Sequence, residues 1–163
     1  MIILSHHQIE QKVHRLAIEI LENNYGEEDI ILLGINHRGM RFAEMLLERL
    51  QEISQTRFEL YNLRISPQAP LSQPVEIDFP LEDMDGRTII VVDDVANTGR
   101  TLFYACKPLL NILPKRLETA VLIDRKHKSF PIRVDYMGLS LATTLKENID
   151  VQILKGEAAV YLN

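Results

Sequence analysis

Two adjacent carboxylates followed by a turn of small residues form the strongest chemical signal in the sequence. Asp93 and Asp94 follow the apolar run Thr88–Val92, and the segment Ala96–Thr101 comes directly after them. Neighbouring acids beyond a buried strand repel each other and resist burial, so they favour ribose hydroxyls or a hydrated magnesium ion as partners. Backbone N–H groups of a small-residue turn at the start of a helix can converge on an anion. The segment therefore predicts a site for a phosphorylated ribose.

Other phosphate-binding patterns do not fit this segment. A P-loop needs G-x-x-x-x-G-K-[ST], and the dinucleotide fingerprint needs G-x-G-x-x-G; neither occurs in the sequence. A phosphate-accepting receiver domain also carries an acid pair, and Asp124 could mimic its acceptor, but that fold places the pair near its N-terminus. Solvated aspartates before a routine turn remain an alternative for the acid pair alone. The T-G-x-T pattern from Thr98 to Thr101 makes this alternative weaker for the whole segment.

The elements that must position these residues alternate between helix and strand. Apolar residues at helical spacing predict a helix that begins after Ser5 and ends near Gly26, and a second helix over 43–53. A third helix is expected from Gly99 to about Asn111. Short apolar runs predict strands at 29–35, 58–63, 75–79, 88–92, 117–123, 132–138, 151–154 and 158–162. This order predicts an α/β fold with a mainly parallel sheet flanked by helices.

Composition limits the classes of protein that remain. The chain has 163 residues, which suits one domain over 1–163, and its formal net charge of −5 argues against a general nucleic-acid binder. Cys106 is the single cysteine, so no disulfide framework can form, and a reducing compartment is expected. No apolar run approaches membrane-spanning length. We therefore expect a cytoplasmic protein without a membrane partner.

Three stretches resemble a known family. The segment Val91–Thr101 resembles the 5-phosphoribosyl-1-pyrophosphate signature of the type I phosphoribosyltransferases. Ile31–Leu46 resembles the pyrophosphate-loop region of the bifunctional pyrimidine-operon attenuator/uracil phosphoribosyltransferases. Val121–Gly138 resembles the stretch of that family that leads into the base-binding hood. The resemblance covers the chain from about Ile9 to Asn163.

The resemblance implies a fold with a small C-terminal hood, and it implies a role for each matching residue. Ribose and its 5-phosphate would be bound by Asp93, Asp94, Ala96, Asn97, Thr98, Gly99, Arg100 and Thr101. Pyrophosphate would be bound by Asn36, His37, Arg38 and Gly39. The nucleobase would be bound by Arg125, Tyr136 and Met137, with Tyr136 as the stacking candidate. Arg38, Asp94 and Arg64 would be the catalytic residues, and Mg²⁺ would contact Asp93 and Asp94 through ribose or water.

The implied reaction is a displacement at the anomeric carbon, in which a nucleobase attacks and pyrophosphate leaves. Two departures from related enzymes bear on it. No Lys or Arg occurs between Ile65 and Gly86, so the expected lid at 65–74 carries no positive charge. The nearest cation is Arg64. Asn97 stands where the hypoxanthine enzymes carry an Asp, and an amide cannot accept a proton at neutral pH. This favours a pyrimidine over a purine, so uracil and formation of UMP are expected.

The same family also includes nucleotide-sensing regulators that bind RNA. RNA is therefore a possible partner, and the alternative function is a regulator of pyrimidine genes with little or no catalysis. Its candidate cations are Lys115, Arg116, Lys126, Lys128 and Arg133, which are otherwise ordinary solvated side chains. A family member that binds nucleotide without turnover is a third alternative. The resemblance also implies a homodimer or higher homo-oligomer.

Overall fold

A computed structural model describes residues 1–144 and 146–163. Strands and helices alternate along these residues, as the sequence predicts, and two short 3₁₀ helices lie at Leu81–Met84 and Lys107–Asn111. The longer elements are β1 (Ile2–Leu4), α1 (His6–Asn23), β2 (Asp29–Ile35), α2 (Asn36–Ile53), β3 (Arg57–Arg64), β4 (Glu76–Ile77), β5 (Thr88–Ala96), α3 (Arg100–Ala105), β6 (Arg116–Arg125), β7 (Tyr136–Leu141), β8 (Ile149–Gln152) and β9 (Ala159–Leu162).

The larger sheet confirms the predicted α/β architecture. It has six strands in the order β4-β3-β2-β5-β6-β7, and all neighbours are parallel except β4, which pairs antiparallel with β3. Residues of β2 and β5 are buried on both faces, which explains their continuous apolar sequences. The carboxyl ends of the parallel strands meet at one edge, where ligands bind in open α/β sheets.

Helices cover both faces of this sheet. Helix α1 begins after Ser5, whose side chain accepts a hydrogen bond from the Gln8 backbone while Gln8 bonds back to Ser5, a capping box. The buried stripe of α1 packs with that of α2 against one face, and α3 with the following 3₁₀ helix packs against the other. Each face therefore has its own apolar core.

The smaller sheet contains the C-terminal strands β8 and β9 of the predicted hood together with the N-terminal strand β1. Its order is β1-β9-β8, so the N-terminal strand β1 completes it by antiparallel pairing with β9. The amino group of Met1 also donates a hydrogen bond to the Leu162 carbonyl at 2.9 Å. Leu4, Val151 and Val160 of this sheet lie in the same core cluster as α1 and α2. The shared core supports the hypothesis that the chain is one domain.

Element boundaries near the predicted site also differ. Strand β5 continues to Ala96, so Asp93 and Asp94 lie within the strand, because β6 extends the ladder as far as the pair Ala96 and Asp124. Helix α3 ends at Ala105 and gives way to the 3₁₀ helix. Within the residues described above, no helix has the length and apolar character needed to cross a membrane.

Candidate active site

A cleft of about 430 Å³ opens at the carboxyl edge of the larger sheet. It brings together the end of β2, the end of β5, the segment after β3 and the smaller sheet, which are distant in sequence. Its walls are formed by Ile35, Asn36, His37, Arg38, Pro67, Asp93, Asp94, Val95, Asn97, Thr101, Ile149 and Leu154. The predicted pyrophosphate turn and the predicted ribose acids therefore face one cavity.

The acid pair lies on the floor of the cleft. Asp93 is 8% exposed, and its Oδ1 accepts a hydrogen bond from the Asp94 backbone N–H at 2.8 Å. Burial, and then the neighbouring charge of Asp94, raise the pKa of Asp93 well above its usual range. No Lys, Arg or His of the described residues lies within ion-pair distance of either carboxylate, so the pair has unmatched negative charge.

Gly39 lies where α2 packs against the end of β5. It is buried in the first turn of α2, where an added Cβ would lie 2.7 Å from the Val92 carbonyl oxygen and 3.1 Å from Oδ1 of Asp93. The absence of a side chain lets α2 approach the end of β5. Gly39 therefore has a packing role that sets the distance between the turn and the acids, and its contact with pyrophosphate stays a prediction.

The segment after β5 forms a tight turn at the position predicted for the cradle. A small cavity of about 50 Å³ is lined by residues 95–102. Gly99 adopts a φ of 89°, which disfavours any side chain, and an added Cβ would lie 2.5 Å from Ile132. The Thr98 carbonyl accepts hydrogen bonds from the backbone of Ser129 at 2.9 Å and Phe130 at 3.3 Å. The loop that follows β6 therefore fixes the shape of the cradle.

The turn after β2 offers two exposed side chains, His37 and Arg38, to the cleft. Arg38 has no ion-pair partner among the residues that the structure describes, so its guanidinium remains available for an anion. Asn36 behaves differently. Its Nδ2 donates to the Ile65 carbonyl at 2.9 Å and its Oδ1 accepts from the Ile65 N–H at 3.0 Å. Asn36 therefore joins the turn to the start of the lid.

Asn62 was not among the predicted site residues, yet it completes this connection. Its Nδ2 donates to the carbonyls of Gly34 and Asn36, each at 2.9 Å. Asparagine is a weak strand former. Its amide is useful here because the two carbonyls lie where β2 ends and α2 begins. The polar residue at position 62 within β3 was the available signal.

Arg64, the third predicted catalytic residue, is engaged in ion pairs in this structure. The guanidinium forms ion pairs with Glu76 at 3.2 Å and Asp78 at 2.8 Å, on the strand that returns from the lid. Hydrogen bonds that Arg64 donates to Asp78, and then to Glu76, raise the pKa of Arg64. Arg64 lines a neighbouring cavity of about 480 Å³ rather than the cleft that holds the acids.

The structure contradicts the prediction that Tyr136 stacks on a base. Tyr136 is fully buried on the α1 side of the sheet. Its hydroxyl donates to Glu118 at 2.9 Å and accepts from the Asn24 amide at 3.1 Å. Burial, and then the hydrogen bond to Glu118, raise the pKa of Tyr136. Met137 packs on the other face against the α3 core and does not line the cleft, so its predicted base contact is also unsupported.

Arg125 lies beside the cleft but is held by the loop that follows β7. It donates to Thr143 Oγ1 at 2.6 Å and to the carbonyls of Thr144 at 2.7 Å and Glu147 at 3.0 Å. Its remaining contact is Nη1 to Asn97 Oδ1 at 3.3 Å. Arg125 therefore acts on the cleft indirectly, because it orients the Asn97 side chain. The smaller sheet and the segment that joins β8 to β9 add two apolar residues to the cleft, Ile149 and Leu154, which sequence patterns do not distinguish from other hydrophobic residues.

Comparison with known proteins gives concordant matches. The family model described as phosphoribosyl transferase domain matches residues 2–154. The protein "Bifunctional protein PyrR" of Streptomyces coelicolor is 36% identical over 149 residues, which cover 85% of this chain and 76% of that protein. The protein of the same name from Haemophilus ducreyi is 35% identical over 161 residues, covering 93% of this chain and 88% of the relative.

Solved structures agree with the fold. The hypoxanthine phosphoribosyltransferase of Trypanosoma cruzi superimposes with a TM-score of 0.78 at 16% identity, covering 98% of this chain and 94% of that chain. A hypoxanthine-guanine phosphoribosyltransferase from Bacillus anthracis superimposes with a TM-score of 0.73 at 22% identity, covering 86% of this chain and 81% of that chain. At these identities the likeness extends to the fold alone.

Proposed function

Because the chain belongs to the phosphoribosyl transferase domain family, we propose that it transfers the phosphoribosyl group of 5-phosphoribosyl-1-pyrophosphate to uracil, forming UMP and pyrophosphate. One observation carries this proposal. Among the described residues, the cleft brings together two adjacent acids without a cation partner, an anion cradle and a turn whose arginine has no ion pair. A phosphorylated ribose with a pyrophosphate on C1 requires these groups. Each part of the substrate has a matching part of the wall.

The residues of the cleft act by binding and orientation. Asp93 and Asp94 accept hydrogen bonds from the ribose hydroxyls, and the cradle from Ala96 to Thr101 receives the 5-phosphate through backbone N–H and hydroxyl donors. Arg38 and His37 then face the pyrophosphate. As the bond from C1 to pyrophosphate lengthens, negative charge grows on the leaving group and positive charge on the ribose. Arg38 stabilises the first charge, and the Asp94 carboxylate stabilises the second.

The acid pair also fits Mg²⁺. This cation prefers oxygen ligands and is commonly held by one or two carboxylates together with water and substrate phosphates. Asp93 and Asp94 supply two such carboxylates, and the described residues hold no cluster of three acidic, histidine or cysteine ligands that would bind a metal alone. Bound Mg²⁺ would neutralise part of the charge on pyrophosphate. The ion would therefore arrive with the substrate, which matches the family resemblance.

Uracil as the base is supported by Asn97. The side chain lines the cleft, and its Oδ1 accepts a hydrogen bond from Arg125, so the amide is oriented and stays neutral. No carboxylate stands at this position to remove a proton from a purine. The N1 proton of uracil would pass to solvent, and Ile149 and Leu154 offer an apolar wall to a small planar base. The resemblance to the bifunctional pyrimidine family points in the same direction.

Incubation of the protein with phosphoribosyl pyrophosphate, Mg²⁺ and a panel of uracil, hypoxanthine, guanine, adenine and orotate tests the proposal. Chromatography with mass detection identifies the nucleotide, and a coupled assay measures pyrophosphate. We expect UMP to be the main product, with a matched amount of pyrophosphate. Formation of a purine nucleotide at a higher rate would contradict the choice of base, and the absence of every nucleotide would contradict the reaction.

Most cations of the alternative RNA surface are already paired with acids. Four of them form ion pairs, namely Lys115 with Glu27 at 2.8 Å, Arg116 with Glu118 at 3.1 Å, Lys128 with Asp124 at 2.5 Å and Arg133 with Asp135 at 2.9 Å. Such pairs weaken attraction to phosphates. Catalysis is therefore the better-supported function, and filter binding to pyrimidine leader RNA with and without UMP tests the alternative.

Two further properties follow from the family resemblance. We propose that the chain forms a homodimer or higher homo-oligomer and that it acts in the cytoplasm, where a single buried thiol such as Cys106 stays reduced. Light scattering coupled to size-exclusion chromatography tests the assembly. A monomer at micromolar concentration would contradict it.

A further inference from the structure

The segment Ile65–Pro67 spans the opening of the cleft and is bonded on both sides. On one side, the Ile65 backbone forms a reciprocal pair of hydrogen bonds with the Asn36 side chain, which belongs to the pyrophosphate turn. On the other side, the Pro67 carbonyl accepts a hydrogen bond from Arg100 Nη2 at 2.7 Å, and Arg100 belongs to the phosphate cradle. Pro67 itself lines the cleft. The start of the lid is thus a bridge between the two halves of the site.

The lid has no cation of its own with which to contact a pyrophosphate. Neither Lys nor Arg occurs from Ile65 to Gly86. Arg64, at the stem, is held by Glu76 and Asp78 on the returning strand. A charge on the lid therefore cannot draw it onto the anionic substrate. Another contact must hold it over the cleft.

Arg100 supplies that contact from outside the lid. It is the first residue of α3 and directly follows Thr98 and Gly99, whose shape the rest of the fold fixes. Its guanidinium is permanently charged, and a charged donor to a carbonyl makes a stronger hydrogen bond than a neutral donor. The acceptor is a backbone carbonyl, so the bond requires the lid backbone to lie in its present path. The hydrogen bond from Arg100 therefore depends on the position of the lid backbone and not on the identity of the lid side chains.

We propose that Arg100 is a positioning residue that latches the lid to the 5-phosphate cradle and so closes the cleft for phosphoribosyl transfer. The transfer part of this inference rests on the proposed function. The 5-phosphate would bind in the cradle beside Arg100, and Arg100 holds Pro67 above the cleft. Substrate occupancy and exclusion of water are then coupled through one side chain, without a basic residue in the lid.

A tryptophan reporter tests the latch without any substrate. The chain contains no Trp, and Gln68 is exposed next to Pro67, so Gln68→Trp places a single fluorophore on the lid. Acrylamide quenching is measured in this background with and without Arg100→Ala. We expect the open-to-closed ratio of the lid to rise about tenfold, as for loss of one charge-assisted hydrogen bond, and quenching to increase accordingly. Equal quenching in the two proteins would overturn the latch.

Lys107→Ala is the matched control in the same reporter background. Lys107 is an exposed cation in the 3₁₀ helix that follows α3, and it has no ion pair in the described residues. We expect Lys107→Ala to leave quenching unchanged. An equal increase in both variants would show a general charge effect and would overturn the assignment. Thermal melts of each variant establish that the fold is intact.

A double-mutant cycle separates the latch from direct binding of phosphate by Arg100. Pro67→Gly loosens the lid at the acceptor, and KM for phosphoribosyl pyrophosphate is measured for both single variants and the double variant. If Arg100 acts through the lid, Arg100→Ala raises KM about tenfold alone and much less in the Pro67→Gly background. Additive effects would overturn the latch. Changed quenching in a protein that forms no nucleotide would retain the latch and contradict the proposed reaction.

Discussion

The two ends of the larger sheet treat charged residues in opposite ways. At the amino end, Arg87 lies before β5 and contacts both Asp29, at 2.9 Å, and Glu59, so its charge is matched by carboxylates from two neighbouring strands. At the carboxyl end, Asp93 and Asp94 lie side by side with no cation within ion-pair distance in the described part of the chain. One end of β5 thus has matched charges, and the other has unmatched ones.

The pKa shifts at the two ends have opposite signs. Partial burial works against ionisation of Glu59, but hydrogen bonds from Tyr61 and Arg87 hold its pKa below the usual range. At Asp93, burial and the charge of Asp94 act together and raise the pKa. The comparison teaches that the amino end contributes to stability, whereas the carboxyl end keeps charge that a ligand must satisfy.

The largest effect is expected from Arg38→Ala, which removes the free cation of the carboxyl end. We expect kcat for UMP formation to fall by about 10²-fold or more, as for loss of one donor to a developing anion. The melting temperature should change little, because Arg38 is exposed and has no ion pair among the described residues. Steady-state kinetics and calorimetry measure both quantities.

Alanine variants of four lid residues are the controls for Arg38. The exposed polar side chains of this loop carry no positive charge, so each substitution should lower kcat less than Arg38→Ala does. The four positions are Ser66, Gln68, Ser72 and Gln73. If one of them is the most damaged variant, the charge argument for the carboxyl end is wrong.

Asp93→Asn and Asp94→Asn should each weaken binding of phosphoribosyl pyrophosphate by about 10- to 100-fold. The reason is the loss of charge-assisted hydrogen bonds to the ribose hydroxyls, worth about 1.5–3 kcal/mol each. Titration calorimetry in the presence of Mg²⁺ measures the affinity. Wild-type affinity in both variants would remove the acid pair from the substrate site.

Asp93→Asn should also raise the melting temperature, in contrast to its effect on binding. The folded-state pKa of Asp93 lies above its unfolded value, so the ionised form disfavours folding once the pH exceeds the unfolded pKa. At pH 7 the neutral amide avoids this cost, and the difference from wild type should shrink as the pH falls toward the unfolded pKa. Melts of both proteins between pH 4 and pH 8, a range chosen around the usual Asp pKa of about 3.9, test the sign.

The amino end should show the reverse behaviour. Arg87→Ala leaves Asp29 and Glu59 without their common partner, and we expect a loss of about 1–3 kcal/mol in the free energy of unfolding. KM and kcat should stay close to wild type, because this cluster is at the opposite end of the strands from the cleft. Denaturant unfolding and steady-state kinetics together measure the contrast. A large loss of kcat in a folded Arg87→Ala protein would contradict the division between the two ends.

Arg57→Ala provides the matched control for Arg87. Arg57 contacts the same Glu59 at 3.4 Å, but its side chain is 71% exposed, so its loss should change stability by about 0.5 kcal/mol or less. The lowered pKa of Glu59 also gives a pH test. Its stabilisation is present above the unfolded pKa and is lost as the pH falls through the folded-state value, so Arg87→Ala should differ least from wild type in acid.

Tyr136→Phe sharpens the boundary of the cleft, because it should lower stability and leave catalysis unchanged. Removing the hydroxyl takes a hydrogen bond from the buried Glu118, so we expect about 1–2 kcal/mol lower stability. KM for uracil should be unchanged, because Tyr136 does not reach the cleft. Tyr136→Leu, which removes the ring, should also leave KM for uracil near wild type in any fraction that folds. A large increase of this KM in the leucine variant would restore the stacking hypothesis.

Local patterns in the sequence were sufficient for most elements near the site. The strands β2, β5 and β6 were predicted from apolar runs, because strands buried on both faces leave that signature, and β3 was predicted from Phe58, Leu60 and Leu63. Helix α1 was predicted from its apolar stripe and from the cap at Ser5. The segment Asp93–Thr101 was selected as a site because acids, glycine and hydroxyls occur together within nine consecutive residues. The residues that suggest its chemistry are therefore neighbours in the sequence.

Contacts between distant residues were decided by the tertiary structure. Strand β7 carries apolar residues on both faces, with Tyr136 in one core and Met137 packed against the other, so the sequence pattern alone does not tell which face Tyr136 takes, and a shift of one residue would reverse it. Arg64 becomes paired because β4 aligns Glu76 opposite it, a register that no local pattern specifies. The joining of β1 to β9 requires contacts between opposite ends of the chain.

The sequence by itself determined the class of fold, the family and the acid pair with its cradle, since each depends on residues close together along the chain. The tertiary structure decided which charges remain free and which side chains face the cleft. Asn36 and Arg100 show the physical reason. Their side chains meet the backbone of Ile65 and Pro67 across 29 and 33 positions, and such contacts depend on how strands and turns are packed in space. The sequence alone does not distinguish an arginine whose guanidinium is free from one whose guanidinium is bonded to the lid.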